Sequence, residues 1–335
     1  MMKIRPLGAF SDFVVEKLPS VLELPSNNLA KHCANLASQV SEETIQTMAR
    51  RGEITLAALD AKMVEIGFTQ CGLAVPEVVS SWVERFSEDK LPMLLYEEII
   101  LGNPAEDPRV FTQGSTGETE QMFYRTHRKI ENHLDSANTK VQNAISAAMY
   151  RRCGGDEIAR HLANVETDLQ AVIQKTCALR GMDKAHFAAF RKYLGAHPAR
   201  GLKGPSGAFS PGIHLLEILL RGDDMPESYL RYLWDNSGYF PQNGYAAITD
   251  ALQAASACGS LASIARALDC AKLSERVNVI GQFFNDFRRI HFGVVNRQLP
   301  EATQDKIAGT AGEARPGTFM RERIEKLRFT KLRGQ

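Results

Sequence analysis

The sequence predicts an all-α protein, and three observations support that prediction. Apolar residues recur mainly at the three- and four-residue spacing of an amphipathic helix. Alternating runs of β-branched residues, which would indicate strands, are almost absent. Glycine and proline separate the helical stretches from one another. With 335 residues, 44% of them hydrophobic, the chain can bury a substantial core.

The helix boundaries follow from where this spacing starts and stops. Ser41 before EETIQTMARR and Asp183 before KAHFAAFRKYL are residue types that cap helix N-termini, and Ser274 marks the start of a long helix in the same way. The predicted helices cover residues 27–50, 54–68, 93–102, 118–150, 156–181, 183–195, 208–221, 226–235, 244–256, 259–270, 273–298 and 317–332.

An irregular segment, GNPAEDPRVFTQGSTGE, separates an N-terminal region from the long helical remainder. The sequence contains no internal repeat and no low-complexity tract. We therefore expect an N-terminal helical layer, residues 1–110, packed on a larger helical core, residues 111–335.

Charge and composition exclude several classes of protein. The 40 Lys and Arg residues nearly balance the 39 Asp and Glu residues, so the formal net charge of +1 gives no electrostatic case for binding nucleic acid or an anionic membrane. The first residues lack the pattern of a secretory signal, and no apolar stretch approaches the roughly 20 residues of a membrane span. The six cysteines form no CxxC or CxxCH motif, which excludes a zinc ribbon and a c-type haem attachment. We expect a cytoplasmic protein with reduced thiols.

The segment VNVIGQFFNDFRRIHFGVVNRQLP contains the most informative histidine. His291 shares an apolar stripe with Phe284 and Phe287, so we expect its side chain to be buried. Burial favours the neutral imidazole, the form that binds a metal. Arg288, one turn earlier, could reach an anionic group beside that metal, such as a haem propionate. The alternative is a hydrogen-bonded core histidine.

An arginine lies among aromatic residues in MDKAHFAAFRKYL. Phe187, Phe190 and Arg191 occupy one side of the predicted helix. Because an unpaired buried charge is costly, Arg191 needs an anionic partner. A substrate carboxylate held by two hydrogen bonds would satisfy it, and a structural salt bridge to a neighbouring helix is the alternative.

Two glycine-rich loops complete the candidate regions. GLKGPSGAFSPG contains Ser206 and leads into a helix, so its backbone amides could bind an anion or line a pocket. IAGTAGEARPGT contains Thr310 and could act as a mobile lid. An ordinary connector is the alternative for both loops.

Four of these pieces, in this order, resemble the haem-dependent tryptophan and indoleamine dioxygenases: FAAFRKYL, GPSGAFSPGIHLLEILLRG, DFRRIHFGVVNR and GTAGEARPGTFMRERI. The resemblance covers roughly residues 110–335. The segment GNPAEDPRVFTQGSTGETEQ and the chain length are more similar to the monodechloroaminopyrrolnitrin synthase branch of that superfamily. The resemblance implies a helical haem domain of the dioxygenase type, with the N-terminal layer packed on it.

The resemblance also implies a non-covalently bound haem b and the residues that hold it. His291 resembles the proximal ligand of the iron, and Arg288 resembles the arginine that holds a propionate. Arg297 matches a family position among the cofactor-binding residues. Ser206 and Gly207 would line the distal side of the haem, where Ser206 also faces the substrate.

For the substrate, the resemblance implies an aromatic amino acid. Arg191 resembles the residue that grips its carboxylate, and Phe187 the residue that packs on its ring. Thr310 resembles the threonine near its ammonium group, and His127 aligns with the distal catalytic histidine. His186 stands where the indoleamine enzymes have an aromatic residue, so the pocket is expected to be more polar. His127 on a solvated helix face is the alternative.

The activity that the resemblance implies is a haem-dependent oxygenation of tryptophan or a tryptophan derivative by O₂ or peroxide. Tyrosine hydroxylation at a haem, haem binding without catalysis, and a haem-free scaffold are the alternatives. The second loop departs from the family because it reads GTAGEARPGT rather than GTGG, which leaves the specificity open. The oligomeric state is open as well, with a homodimer as one alternative.

Overall fold

A computed structural model of the chain describes residues 4–26, 28–51, 53–86, 93–150, 153–195 and 202–332. The chain is 75% helical, and no strand occurs in these ranges. The prediction of an all-α protein is therefore confirmed. No helix within the described ranges combines the length and the hydropathy that crossing a bilayer requires.

The N-terminal third of the chain consists of short helices followed by one π-helical turn. They are α1 (Ala9–Glu16), α2 (Leu18–Glu23), α3 (Asn28–Ala37), α4 (Glu42–Arg50), α5 (Ile54–Gln70), α6 (Glu77–Phe86) and a π-helix (Glu97–Gly102).

The remainder contains the long helices and several short 3₁₀ turns between them. The helices are α7 (Gly114–Tyr150), α8 (Gly155–His161), α9 (Val165–Ala178), α10 (Lys184–Leu194), α11 (Pro211–Arg221), α12 (Glu227–Asp235), α13 (Gln242–Cys258), α14 (Leu261–Leu268), α15 (Ala271–Gln298), α16 (Pro300–Thr303) and α17 (Pro316–Lys326).

Two predicted helices are each divided in the structure. The predicted helix 27–50 becomes α3 and α4, because Ser41 caps α4 by accepting a hydrogen bond from the Thr44 amide. The predicted helix 156–181 becomes α8 and α9, because Asn164 takes a left-handed conformation with φ of 67°. In both places a polar residue interrupts the helix, although the apolar spacing continues on both sides of that residue.

Other boundaries differ for local reasons. The sequence did not predict α1, α2 or α6, although α6 buries Val79, Trp82, Val83 and Phe86 at helical spacing. The prediction that Ser274 caps a helix is wrong. Because Leu273 packs fully into the core, the helix extends back to Ala271 and Ser274 lies within its first turn.

The described chain divides into two compact units. The first contains residues 1–125, 182–207 and 310–312, and the second contains residues 126–181, 208–309 and 313–335. The boundary at residue 110, which the sequence suggests between a layer and a core, stays a prediction.

Buried ion pairs hold the first unit together. Arg109 donates to Asp60 at 2.9 Å, and Lys62 donates to Glu98 at 2.6 Å. Asp60 and Lys62 both lie on α5, and all four side chains are buried. Because removing one partner of a buried pair leaves an uncompensated charge, these contacts hold the segment after α6 firmly on α5.

In the second unit the 28-residue helix α15 is the main packing element. It contacts α8, α9, α11, α14, α16 and α17. A helix packed on several sides gives its side chains a defined orientation, which matters because α15 carries the predicted metal ligand.

Glu120 joins the start of α7 to the extended segment before it. Its carboxylate accepts hydrogen bonds from the Phe111 amide at 2.9 Å, the Thr112 amide at 3.0 Å, the Thr112 hydroxyl at 2.6 Å and the Tyr124 hydroxyl at 2.8 Å. Burial raises the pKa of Glu120 to about 7, and the donors oppose that rise. The position therefore requires a group that only accepts hydrogen bonds.

We expect Glu120→Gln to lower the free energy of unfolding by about 2 kcal/mol at pH 8, because the new amide group faces donors and leaves them unsatisfied. Urea unfolding followed by circular dichroism measures the change. Glu118→Gln, an exposed neighbour on the same helix, is the matched control. Equal stability of the two variants would contradict this account of Glu120.

Candidate functional site

The predicted site residues divide between the two units, and each group is described within its own unit. The clamp group, in the first unit, consists of His186, Phe187, Arg191, Ser206, Gly207 and Thr310. The histidine group, in the second unit, consists of His127, Arg288, His291 and Arg297.

Helix α10 positions the centre of the clamp group. Asp183 caps this helix as predicted, accepting hydrogen bonds from the amides of Ala185 at 2.8 Å and His186 at 3.1 Å. The cap sets where the helix begins and hence which way its side chains point. Phe187 and Arg191 are one turn apart and therefore lie on the same face.

Phe187 belongs to a cluster of aromatic rings. Its ring centroid lies 5.7 Å from that of Phe123 on α7 and 5.3 Å from that of Phe190, with the latter pair perpendicular. Phe123 and Phe190 are 5.5 Å apart. These spacings are those of favourable aromatic packing. Sequence reasoning missed Phe123, although its place within MFYRTH offered a signal.

Arg191 is half-buried beside this cluster. Burial lowers the pKa of its guanidinium from the ordinary value, which shows that the charge is partly removed from water. A carboxylate bound at such a position gains more from Coulomb attraction than it would in bulk water. The position thus suits the recognition of an anionic group attached to an aromatic ring.

His186 is oriented by hydroxyl groups at the start of α7. Its Nδ1 lies 3.0 Å from the Thr119 hydroxyl and its Nε2 lies 3.5 Å from the Ser115 hydroxyl. These contacts give the imidazole a structural role in holding α10 against α7. Its role in substrate binding stays a prediction.

The two glycine-rich loops meet at Gly204. Its amide donates to the Thr310 carbonyl at 2.8 Å, and an added Cβ would lie 2.1 Å from the Leu194 carbonyl oxygen. Only glycine allows this approach. Ser206, which follows, is half-buried, and no described heavy atom beyond the chain neighbours lies within 4 Å of the position that a Cβ on Gly207 would take. The loops are thus held together, with open space at Gly207.

In the second unit, His291 ends a ladder of rings along α15. Phe283 and Phe287 stack at a centroid distance of 5.6 Å, and Phe287 and His291 stack at 5.9 Å with ring planes 12° apart. In the predicted apolar stripe Phe284 is buried, whereas Phe287 and His291 are half-buried. The end of the stripe therefore lies at the edge of the packed core, and the His291 side chain is partly accessible to solvent.

Burial and a second histidine keep His291 neutral. Burial, and to a smaller extent the neighbouring His127, lower the pKa of His291 to about 4. The imidazole therefore has a free lone pair at neutral pH, as metal ligation requires. His127 is half-buried on α7 and close enough to His291 for their charges to interact, whereas a solvated helix face was the alternative for it.

Arg288 belongs to a buried ionic cluster. Its guanidinium donates to the Glu217 carboxylate and, at 2.9 Å, to the Leu327 carbonyl. Arg221 donates to the same two groups, at 3.4 Å and 2.8 Å. Two guanidinium groups around one carboxylate leave one positive charge uncompensated within the cluster. Sequence reasoning missed Glu217, although an acidic residue inside HLLEILL signals a buried partner.

Arg297 is exposed in the last turn of α15. A positive charge there interacts favourably with the helix dipole, which accounts for the residue without any ligand. Its role in cofactor binding stays a prediction.

His214 is a core residue of the second unit. It is buried on α11, where Nε2 donates to the Ala208 carbonyl at 2.9 Å and Nδ1 accepts from the Tyr229 hydroxyl. Burial lowers the pKa of His214 to about 3, so the ring is neutral. The bond to Ala208 anchors the end of the first glycine-rich loop. His197 lies outside the described residues.

The sequence matches no protein-family model, and a search of curated proteins returned no significant match. The function is therefore inferred from the geometry within the clamp group, the geometry within the histidine group and the motifs of the sequence.

The depressed pKa of His291 predicts a pH dependence of stability. Between about pH 6.5 and pH 4 the unfolded chain binds a proton at this histidine and the folded chain does not, so the free energy of unfolding should fall as the pH falls. We expect His291→Gln to make this decline shallower. Urea unfolding at several pH values tests it, with His161→Gln as the control. An unchanged slope in His291→Gln would show that the imidazole is not desolvated.

Proposed function

We propose that this protein is a haem-dependent oxygenase that acts on an aromatic amino acid, tryptophan or a tryptophan derivative. The observation that carries the proposal is His291, a neutral imidazole with an accessible surface at the end of a packed ring ladder, coupled to His127. The sequence resemblance to the tryptophan and indoleamine dioxygenases supports it independently.

The side chains present fit a haem. The His291 imidazole would bind the haem iron, because it is neutral and stacks on the Phe287 ring. The cluster around Glu217 carries one excess positive charge, so Arg288 can still neutralise a propionate while bound to Glu217. By the resemblance, Ser206 and Gly207 would also help to hold the haem. When bound, the haem supplies the redox chemistry with O₂ or peroxide.

The residues of this chain bind and orient the substrate. Arg191 receives the carboxylate through two charge-assisted hydrogen bonds, and Phe187 packs against the aromatic ring. Thr310 accepts a hydrogen bond from the ammonium group. His127 accepts a hydrogen bond from the ring N–H at one imidazole nitrogen. Closure of the Thr310 loop excludes water from the reacting ring.

Axial ligation by His291 predicts a spectroscopic result. Haem titrated into the wild-type protein should give a Soret band typical of imidazole ligation, and His291→Ala should lose or strongly shift that band. Added imidazole should restore the band in the variant, because it fills the space left by the side chain. His161→Ala, a half-buried histidine elsewhere, serves as the control. Identical spectra for wild type and His291→Ala would refute axial ligation.

The Arg191 clamp predicts the substrate class. Arg191→Ala should weaken binding of the preferred aromatic amino acid by roughly 2 kcal/mol, about thirtyfold in Kd, because two charge-assisted contacts are lost. Arg191→Lys should recover only part of that affinity, since an ammonium group lacks the planar fork. Lys192→Ala, on the exposed side of the same helix, is the control.

Titration of the haem-loaded protein with L-tryptophan, L-tyrosine and tryptamine separates the alternatives. Tighter binding of tyrosine would indicate tyrosine hydroxylation, and tryptamine should bind poorly because it lacks the carboxylate. If no aromatic amino acid binds, the protein is a haem-binding protein without this activity.

A further inference from the structure

The C-terminal segment Leu327–Leu332 follows the end of α17 and is held along α15 by two asparagine side chains. Asn285 donates to the Phe329 carbonyl at 3.1 Å and accepts from the Phe329 amide at 2.9 Å. Asn278 donates to the Leu332 carbonyl at 3.1 Å and accepts from the Leu332 amide at 2.7 Å. Each carboxamide thus pairs with one residue's backbone as a neighbouring strand would. We call this segment the strap.

The spacing of the two asparagines matches the spacing of the residues that they bind. Asn278 and Asn285 are seven residues apart on one helix face, about 10.5 Å along the axis. Phe329 and Leu332 are three residues apart in an extended chain, about 10 Å. Two side chains placed two turns apart on a helix can therefore bind two residues that are three positions apart in an extended chain. The paired contacts are therefore a specific arrangement of the strap on α15.

A notch in α15 fixes the strap between these two points. Gly281 has no side chain, and an added Cβ would lie 2.0 Å from the Phe329 ring. The ring fills this notch and is buried. Because Gly281 lies between the two asparagines, the apolar contact and the four hydrogen bonds hold the same register. Sliding the strap by one residue would break all of them.

The strap begins at the ionic cluster described above. The Leu327 carbonyl accepts hydrogen bonds from Arg288 at 2.9 Å and from Arg221 at 2.8 Å. Arg288 is held on another of its nitrogens by Glu217. Arg288 and Asn285 are one turn apart on α15. The strap residues that they bind, Leu327 and Phe329, are therefore close together as well.

We propose that Asn278 and Asn285 are positioning residues for the cofactor. By holding the strap in register, they keep the Leu327 carbonyl on the Arg288 guanidinium and so fix the direction in which its remaining N–H donors point. This inference rests on the proposed function, since the group that Arg288 would meet is a haem propionate. The strap then makes haem affinity depend on a segment that does not itself contact the haem.

A purely structural strap would give a different result from a positioning strap. Docking of the strap is measured without haem, by hydrogen–deuterium exchange of the amides of residues 327–332. The effect on the cofactor is measured by titration with haem, followed at the Soret band. A structural strap changes the first measurement alone, whereas a positioning strap changes both.

The variants are Asn285→Leu, which keeps the volume and removes both hydrogen bonds, and Thr330→Ala, an exposed strap residue, as control. We expect Asn285→Leu to speed amide exchange in the strap and to weaken haem binding about tenfold, because Arg288 then loses its fixed orientation. The control should leave both unchanged. Thermal unfolding of each apo-protein establishes that the variant is folded. If Asn285→Leu does not fold, Leu332→Pro, which removes the amide that donates to Asn278, takes its place.

A double-variant cycle tests whether the effect passes through Arg288. In the Arg288→Ala background, Asn285→Leu should have no further effect on haem affinity, because the group that the strap positions is absent. Full additivity would overturn the inference, and so would unchanged haem affinity despite a released strap. Failure of the proposed function is distinguishable, because His291→Ala would then bind haem as the wild type does, or the wild type would bind none.

Discussion

The Glu217 carboxylate, buried between the guanidinium groups of Arg221 and Arg288, is the interaction on which the second unit depends. A carboxylate in this setting is costly unless its charge is compensated, and removing one partner typically costs 3–5 kcal/mol. The cluster joins α11, α15 and the C-terminal strap through groups far apart in the chain. It therefore holds the helix that carries His291 to the helix that follows the first glycine-rich loop. Any rearrangement of α15 would have to break charged contacts out of reach of water.

Removal from water explains the state of the important titratable groups as well. His291 and His214 are kept neutral because their charged forms lose hydration, which leaves one imidazole available as a ligand and the other as a hydrogen-bonded anchor of Ala208. The same cause acts on Arg191 in the first unit, where a permanently charged group cannot respond by releasing its proton. An imidazole adapts to burial by becoming neutral, whereas a guanidinium adapts by binding an anion. This difference is consistent with the roles proposed above, iron binding for the histidine and carboxylate recognition for the arginine.

Several parts of the site were predictable from local sequence and several were not. The apolar spacing around His291 predicted a buried side chain, because a helical period places neighbouring turns on one face, and in the structure that residue is half-buried. The same reasoning suggested a propionate for Arg288. The position of Glu217 inside HLLEILL signals a buried carboxylate, but the sequence does not pair it with Arg288, which lies 71 residues away. The contacts of Phe123 and Thr119 with α10 were not predicted for the same reason, since they join residues 64 to 67 positions apart in the sequence. The strap was predicted as a continuation of the last helix, whereas backbone bonds to Asn278 and Asn285 hold it along α15.

The sequence by itself determined the all-α class, the approximate positions of most helices and the capping of α4 and α10, because periodicity, propensity and capping are local properties. Only the tertiary structure decided at which residues the predicted helices are interrupted and which partner each buried charge contacts. It also decided that α15 binds the strap. Those choices join groups as far apart as Arg221 and Leu327, separated by 106 residues. Their energies depend on burial and on a partner's exact placement, and neither is encoded within one turn of helix.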